Sequence, residues 1–302
     1  MEDTSKKTYT KVIIATVIGH IFWGFSFMAS RVALDEAHMF LLLSHRFILA
    51  FVVMSVLILI KVASVNYKGK HLVPLFWMGL MEPVVYFFGE HYGILHSNTI
   101  FSGVMIAMIP IVSTLAAILI LKEVPTVLQL VFSVVSVGGV IGIGLISKNS
   151  GALELGGVIG LIIAVLSAVI YTLMGRKYST YYTPFERTYA VVVMGMVVFT
   201  ICALVYCKGD MGMYLEPLKD SGYTISTLFL GICCSVGSYF LAAYAITYLT
   251  VARATVFANL TTAVSVFAGA FFLHEPFSLL GVVFCIMILV GIYGVQIEAK
   301  EE

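Results

Sequence analysis

Two carboxylates and a phenol recur every four residues in an otherwise apolar stretch of the sequence, at Glu82, Tyr86 and Glu90. On one continuous helix, residues four apart lie along one face and form a stripe. An ionisable side chain near the middle of a bilayer costs about 2.5 to 3.5 kcal/mol to insert, so we expect it to face a cavity or a partner. Such a stripe could hold a proton or bind the polar groups of a small molecule.

A second polar group lies nearer the N-terminus, where His20, Trp23 and Ser26 share a helical face. Two interpretations stay open. In the first, small residues pack closely and the histidine bonds to a neighbouring backbone carbonyl. In the second, His20 and Glu82 share a proton or the amine of a substrate, as a proton-coupling site would. Facilitated passage without protons is the alternative to coupling.

The elements that must position these residues are membrane-spanning helices. The chain is 61% hydrophobic and 11% charged, with a mean hydropathy of +1.05, whereas soluble domains are about 25% charged. Apolar runs of about 20 residues, which span a hydrocarbon core about 30 Å thick, predict ten helices and exclude a transmembrane barrel. They lie near 12–33, 40–61, 72–95, 98–121, 127–146, 156–176, 185–207, 223–247, 251–273 and 278–297, and are called spans 1 to 10.

The distribution of basic residues predicts that both termini are cytoplasmic, because cytoplasmic loops carry an excess of Lys and Arg. Lys148, Lys208 and Lys219 would then face outside. The first apolar run is too long for a cleavable signal peptide and is expected to remain as span 1. The basic residues assigned to the cytoplasmic side are Lys6, Lys7, Lys11, Lys61, Lys68, Lys70, Lys122, Arg176, Lys177 and Lys300.

The second half of the chain repeats the first. Residues 79–142 align without a gap with 231–294, an offset of 152, and sixteen of the 64 aligned pairs are identical. We therefore predict two five-helix repeats, residues 1–150 with an N-terminal tail at 1–11 and residues 151–302 with a C-terminal tail at 298–302. An odd number of crossings per repeat makes the copies upside down relative to each other, as in carriers with alternating access.

Three motifs, in this order and spacing, resemble the ten-helix EamA-like branch of the drug/metabolite transporter superfamily. They are FWGFSFMASRVAL at 22–34, followed by Arg46; SNTIFSGVMIAMIPIVSTLAAILILKEVPT at 97–126; and VARATVFANLTTAVSVFAGAFFLHEPFS at 251–278. The resemblance covers nearly the whole chain. It implies a carrier of small organic metabolites, often an exporter, in a bacterial inner membrane.

The resemblance also implies which spans line the substrate cavity, namely 1, 3, 4, 6, 8 and 9. It adds Tyr171, Tyr239, Arg253 and Asn259 to the candidate substrate-binding residues. Arg253 could meet a substrate carboxylate or pair with a loop acid. Asn259 could bind cargo or tie two helices together.

Other features of these motifs predict scaffold. Glu123 and Glu275 end spans 4 and 9 and are expected to pair with a backbone group or a cation. Arg46 and Arg187 are expected to anchor spans 2 and 7 by snorkelling. Pro110 aligns with Thr262, so we expect a kink in span 4 that span 9 lacks. Glycines in spans 5 and 10 could pack these spans together or form a dimer contact.

We therefore expect a secondary transporter of a small amino acid, a related zwitterion or amine, or a drug. Its partners would be that substrate and the lipid bilayer, and it would be a monomer or a homodimer. The histidines are scattered and lack an HExxH motif, and no basic patch indicates nucleic acid, so neither a metal nor another cofactor is expected. The alternatives are an integral-membrane enzyme and a membrane interaction protein without transport.

Overall fold

The computed structural model describes residues 2–96, 105–106, 108–146, 154–272 and 279–297, and every regular element in these ranges is helical. Two segments, Leu80–Val85 and Leu230–Ser238, are π-helical, and Glu216–Lys219 forms a 3-10 turn. The α-helices are α1 (Glu2–Glu36), α2 (Met39–Leu59), α3 (Val73–Gly79), α4 (Tyr86–Leu95), α5 (Ile109–Leu121), α6 (Val127–Ile146), α7 (Leu155–Lys177), α8 (Pro184–Tyr206), α9 (Met211–Leu215), α10 (Ser221–Phe229), α11 (Tyr239–Tyr248), α12 (Val251–Thr255), α13 (Ala258–Phe272) and α14 (Leu279–Ile297).

These helices make the chain a multi-pass membrane protein. Seven segments of the described residues are long and apolar enough to cross a bilayer, and they fall on spans 1, 2, 6, 7, 8, 9 and 10. The shorter apolar helices Ile109–Leu121 and Val127–Ile143 fall on spans 4 and 5. The start of span 4, Glu275 and the tail 298–302 lie outside the described residues, and the number of ten crossings stays a prediction.

Span 3 is not the continuous helix that we expected. It consists of α3, the π segment Leu80–Val85 and α4, and Glu82 has the non-helical angles φ −138 and ψ 120. The Glu82–Pro83 peptide bond is cis. Because the stripe argument assumes a regular helix, the prediction that Glu82 shares a face with Tyr86 and Glu90 is wrong. The Tyr86 and Glu90 part of the stripe lies on α4 and remains.

The helices pack into two compact units. Unit 1 comprises Met1–Val84 and Tyr178–Thr247, and therefore holds α1 to α3 and α8 to α11. Unit 2 comprises Val85–Lys177 and Tyr248–Glu302, and holds α4 to α7 and α12 to α14. Packing groups the helices differently from the predicted division at residue 150. That division concerns sequence similarity and stays a prediction.

In unit 1, α2 packs on α8, and α1 packs on α10 and the π segment Leu230–Ser238. Two buried arginines connect these helices. Arg46 Nε donates to Ser235 Oγ at 2.6 Å, and Arg187 Nη2 donates to the carbonyl oxygen of Ala243 at 2.7 Å. The predicted anchoring role is confirmed but snorkelling is wrong, because both side chains lie in the protein interior, where neighbouring helices supply acceptors.

In unit 2, α6 and α14 pack through glycines, so these helices contact each other within the protein. A Cβ on Gly139 would lie 2.7 Å from the carbonyl oxygen of Phe284, and one on Gly291 would lie 2.6 Å from that of Phe132. Both pairs correspond across the offset of 152, since Gly139 aligns with Gly291 and Phe132 with Phe284. The two contacts are therefore reciprocal across this offset.

The kink predicted at Pro110 of span 4 stays a prediction, because residues 97–104 and 107 lie outside the described residues. Pro110 itself lies in the first turn of α5, where its missing N–H breaks no bond within that helix. Thr262 lies inside the regular helix α13. The interruption in span 9 comes earlier, at Val256 and Phe257, between α12 and α13.

Candidate functional site

Four of the sequence-predicted residues form one contiguous group in unit 1. The hydroxyl of Tyr239 donates to the carboxylate of Glu82 at 3.3 Å. The Tyr239 ring meets the edge of Trp23 with 5.5 Å between centroids, and Trp23 meets His20 in the same way at 5.2 Å. The group therefore runs from the break in span 3 through the start of α11 to the middle of α1.

The break positions the carboxylate. Pro83 cannot donate a backbone hydrogen bond, and Glu82 departs from helical angles immediately before it. The side chain of Glu82 is half-buried, whereas Tyr239 is only 2% exposed. A half-buried carboxylate that is bonded to the hydroxyl of a buried tyrosine can attract a cationic group.

The side chains of His20 and Ser26 both donate hydrogen bonds to backbone carbonyl groups of their own helix, α1. The Nδ1–H of His20 donates to the carbonyl oxygen of Thr16 at 2.8 Å, and the hydroxyl of Ser26 donates to that of Trp23 at 2.6 Å. His20 is 5% exposed. The carbonyl bond is the one that the first interpretation of His20 expected, and the sharing of a proton with Glu82 stays a prediction.

Unit 2 holds the other five candidates. Tyr86 donates to Glu90 at 2.8 Å along α4. This helix crosses α7, the helix of Tyr171, at very short range, since a Cβ on Gly89 would lie 2.7 Å from the carbonyl oxygen of Gly160. Small residues on both helices therefore fix the position of α4 and of its phenol and carboxylate.

Asn259 ties helices together, the second of the two roles left open for it. Its Nδ2 donates to Ser136 Oγ at 3.0 Å, and Ser136 donates to the carbonyl oxygen of Ile288 at 3.3 Å. The side chain joins α13 to α6 and, through the serine, to α14. With 2% of Asn259 exposed, the geometry favours a scaffold role over contact with cargo.

Arg253 lies in α12, two residues after Val251. Glu123 accepts from Arg176 Nε at 2.5 Å and from the backbone N–H of Val251 at 2.8 Å. This confirms the predicted scaffold role of Glu123, whereas Glu275 lies outside the described residues. Arg253 Nε is buried and has no hydrogen-bond partner in the part of the chain that the structure describes. The same is true of Thr250 Oγ1, which the sequence did not single out.

A second buried polar cluster of unit 1 also escaped the sequence reasoning. His45 Nδ1 bonds to the hydroxyl of Tyr223 at 2.8 Å, and Ser44 bonds to that of Tyr214 at 2.7 Å. Burial raises the pKa of Tyr214, which lies in the connection between the apolar spans. No spacing rule joins α2 to the short helix α9, so no sequence signal could have found this cluster.

The structural role of Glu186 was not predicted, although the sequence contains a recognisable motif for it. The sequence Thr183-Pro-Phe-Glu186 is a capping box, and both of its hydrogen bonds are present at the start of α8. The same carboxylate accepts from Lys70 Nζ at 2.7 Å and from the backbone N–H of Asn66 at 2.9 Å. It thereby ties the connection after α2 to α8. Burial, with the nearby Glu186 charge, raises the pKa of Tyr67 in that connection.

Comparison with known proteins places this arrangement among transporters. The sequence model of the EamA-like transporter family matches twice, over residues 10–145 and 155–297. The uncharacterized transporter YcxC of Bacillus subtilis (strain 168) is 28% identical over 98% of this chain and 96% of its own. An uncharacterized transporter of Archaeoglobus fulgidus (strain ATCC 49558) is 26% identical over 90% and 94%. A solved crystal structure shares the fold, with a TM-score of 0.81, 13% identity and coverage of 96% of this chain and 98% of its own.

Proposed function

Because the chain belongs to the EamA-like transporter family, we propose that it is a secondary transporter of a small amine-bearing metabolite, an amino acid or a related zwitterion or amine. Alternating access would expose the binding site in turn to the two faces of the membrane. The direction we propose is outward. A bacterial inner membrane is the proposed location, with both termini cytoplasmic.

The observation that carries the choice of an amine is the Glu82 group. Its carboxylate accepts from Tyr239 and lies one ring contact from Trp23. Water would solvate a free carboxylate, but a half-buried one gains from an ammonium partner, and an ammonium over an aromatic ring gains about 0.5 to 2 kcal/mol. Neutral and anionic cargo would leave this carboxylate unneutralised, at a cost.

Proton coupling is the finer proposal on the same residues. Glu82 would alternate between a proton and the substrate amine, so that the two compete for one carboxylate. His20, whose Nδ1 is fixed by the carbonyl oxygen of Thr16, would pass protons through Nε2. The rate of transport would then depend on pH in the wild type and lose that dependence in Glu82→Gln.

We also propose the ten-crossing inverted repeat as the frame of this site. Three observations support it: the family match in each half, the reciprocal glycine contacts of α6 and α14, and the presence of π segments at aligned positions of spans 3 and 8. Reporter fusions after residue 302 and in the connection 208–220 test the topology. A cytoplasmic signal at both sites would contradict it.

The function is tested on the full-length protein in two steps. A thermal-shift panel of radiolabelled amino acids, amines and cationic drugs identifies a ligand, because a bound ligand stabilises the protein by mass action in whichever direction it moves. The ligand then enters counterflow assays in proteoliposomes at several pH values. We expect Glu82→Gln to reduce counterflow at least about tenfold, the loss of a charged hydrogen bond, and to flatten the pH profile.

Glu154→Gln is the matched control, because Glu154 is a carboxylate of similar chemistry whose side chain is 64% exposed. It should leave counterflow unchanged. A Glu82→Gln protein with wild-type counterflow and an unchanged pH profile would contradict the role of Glu82. A panel in which no compound shifts the melting temperature or exchanges would count against amine transport itself.

A further inference from the structure

We propose that the connection between α2 and α3, residues 61–72, binds the headgroups of anionic phospholipids through Lys61 and Lys68. This inference goes beyond the proposed function and does not depend on the identity of the cargo. It rests on positive charge that is not balanced within the connection, on a backbone that unit 1 holds in place, and on exposed apolar side chains at both ends of the connection.

The connection carries positive charge that its own stretch of sequence does not balance. Residues 37–81 contain no Asp or Glu, whereas three lysines lie in the connection, Lys61, Lys68 and Lys70. Lys61 and Lys68 are exposed, and neither side chain forms an ion pair with the part of the chain that the structure describes. Lys70 differs, because its Nζ contacts the Glu186 carboxylate at 2.7 Å. Two of the three lysines therefore keep their charge for an anion outside the chain.

Glu186 holds the backbone of the connection without using the two exposed lysines. Its side chain is buried, and one of its oxygens accepts from the backbone N–H of Asn66 at 2.9 Å as well as from Lys70. The hydroxyl of Tyr67 donates to the backbone carbonyl oxygen of Glu186 at 2.8 Å. A connection fixed in this way loses less conformational entropy when a ligand binds to it than a free loop would.

Exposed apolar side chains lead along the membrane-spanning helix α2 to the first lysine. Val52, Val56 and Leu59 recur at the spacing of one helical face and are 48%, 46% and 78% exposed. On a helix that crosses the bilayer, such a stripe faces lipid. Lys61 follows at the end of this stripe, and Val62 after it is 71% exposed. Lys61 therefore lies where the apolar surface of α2 ends and the headgroups begin.

The other end of the connection is apolar and exposed in the same way. Leu72 and Val73 are 53% and 64% exposed, and Trp77 of α3 is 46% exposed. Tryptophan is enriched at the level of the headgroups, where its ring meets both acyl chains and water. An anion with acyl chains matches lysines between two apolar edges, whereas a free anion would use the lysines alone.

A lipid phosphate matches the charge of the connection. The lysine ammonium binds phosphate as a compact point charge. Phosphatidylglycerol presents a phosphate with a net negative charge, whereas the phosphate of phosphatidylcholine is balanced by its own choline. Each lysine near an anionic bilayer surface should contribute about fivefold to the affinity, and salt should weaken this contribution.

The test measures the lysines themselves on the full-length protein. Sulfosuccinimidyl acetate acetylates neutral amines, and mass spectrometry gives a rate for each lysine in nanodiscs of phosphatidylcholine with or without phosphatidylglycerol. A phosphate contact favours the ammonium, which does not react, so phosphatidylglycerol should slow the labelling of Lys61 and Lys68 about threefold to tenfold. Lys208 is the internal control, because it is exposed in a connection that also carries Asp210 and Glu216. Its rate should change by less than about twofold.

Variants test whether the same lysines set the affinity for the lipid. Lys61→Gln and Lys68→Gln change exposed side chains, so the double variant should keep the wild-type melting temperature. Its affinity for phosphatidylglycerol, measured by native mass spectrometry from detergent micelles, should fall at least about tenfold. The matched control combines Lys208→Gln with Lys219→Gln and should change this affinity by less than about twofold. An unchanged affinity in the first double variant would overturn the proposal, as would equal slowing of Lys208 and Lys61 in the labelling experiment.

Free phosphate is the other source of the same chemistry. If inorganic phosphate, added to phosphatidylcholine nanodiscs at equal ionic strength, slows the labelling of Lys61 and Lys68 as much as phosphatidylglycerol does, the connection binds free anions and the lipid assignment fails. We expect inorganic phosphate to leave both rates within about twofold, because it lacks the acyl chains that would hold it beside the apolar edges. Counterflow of an amine tests the proposed function separately, since it reports on Glu82 and requires no lipid at this connection.

Discussion

The π segment Leu80–Val85 of span 3 and the π segment Leu230–Ser238 of span 8 align across the repeat, yet they put the same irregularity to opposite uses. In the first, Glu82 leaves helical geometry and presents a half-buried carboxylate to Tyr239. In the second, the aligned residue is Cys234, 0% exposed, whose thiol donates to the carbonyl oxygen of Phe22. The first segment therefore carries a half-buried carboxylate, whereas the aligned side chain of the second segment is fully buried against α1.

The second segment is tied to two helices by hydrogen bonds of its serines. Ser235 accepts from Arg46 of α2, and Ser238 donates to the carbonyl oxygen of Gly19 in α1 at 2.8 Å. Ser238 also donates to the carbonyl oxygen of Cys233 within the segment at 3.2 Å, so the segment bonds both to itself and to its neighbours. Under the proposed function, the same irregularity is scaffold in the second segment and holds the amine partner in the first. The difference says where substitutions should matter for transport and where for stability.

The largest expected difference between the two π segments comes from replacing the aligned residues Glu82 and Cys234 with alanine. Glu82→Ala removes the proposed amine partner and should lower counterflow of the identified ligand at least about tenfold, with a small change in melting temperature because the site is half-buried. Cys234→Ala removes a small buried group and should lower the melting temperature while the folded protein keeps its transport rate within about twofold. Equal losses of transport in the two variants would contradict the division of roles.

The two-fold relation itself can be tested with glycines of α6 and α14. Gly139→Ala and Gly291→Ala each push a methyl group into a backbone carbonyl of the facing helix, so each should cost about 3 kcal/mol of stability. Because the contacts are reciprocal, the two losses should agree within about 1 kcal/mol in thermal or denaturant unfolding.

Gly138 provides the control for that pair. A Cβ there would lie 3.7 Å from Met287 Cε, an ordinary contact, so Gly138→Ala should leave stability unchanged or raise it. A destabilisation by Gly138→Ala as large as that of Gly139→Ala would show that any added methyl is harmful in α6. A loss confined to one of Gly139 and Gly291 would contradict the reciprocal packing.

The sequence predicted the parts of the molecule that periodicity and composition control. Apolar run length predicted the apolar helices, and the offset of 152 predicted that Gly139 and Gly291 are equivalent positions, which agrees with their reciprocal contacts. The prediction failed at Glu82, because a helical stripe assumes regular geometry. No residue type around Glu82 or Cys234 is specific to π-helical geometry, so the sequence did not predict either π segment. It left both roles of Asn259 open, since whether a buried polar group has a partner depends on helices distant in sequence.

The attachment of the second π segment to α2 should weaken when Ser235 is truncated. Ser235→Ala removes the acceptor of Arg46 Nε in the protein interior and should cost about 1.5 to 2 kcal/mol, seen as a lower melting temperature. Ser55→Ala removes a partly buried hydrogen bond of 3.3 Å between the hydroxyls of Ser55 and Tyr189, and should reduce stability by less. If Ser235→Ala abolished transport at full stability, the second segment would carry chemistry and the comparison would fail.

The smallest expected effect is on ligand affinity, and it compares two serines outside the π segments, Ser26 of α1 and Ser167 of α7. Ser26 in α1 donates to the carbonyl oxygen of Trp23, and Ser167 in α7 donates to that of Ala164 at 2.8 Å, so both hydroxyls bond three residues back along their own helix. Such bonds compete with the backbone hydrogen bonds of the helix, and either Ser→Ala change should alter stability by less than about 0.5 kcal/mol.

Only Ser26 adjoins the proposed amine site through Trp23, so only Ser26→Ala should shift the ligand Kd, by about twofold to threefold in a thermal-shift titration. An equal shift in Ser167→Ala would mean that ligand affinity responds to helix geometry in general, and the site would then have no special dependence on the face of α1 that carries His20 and Trp23.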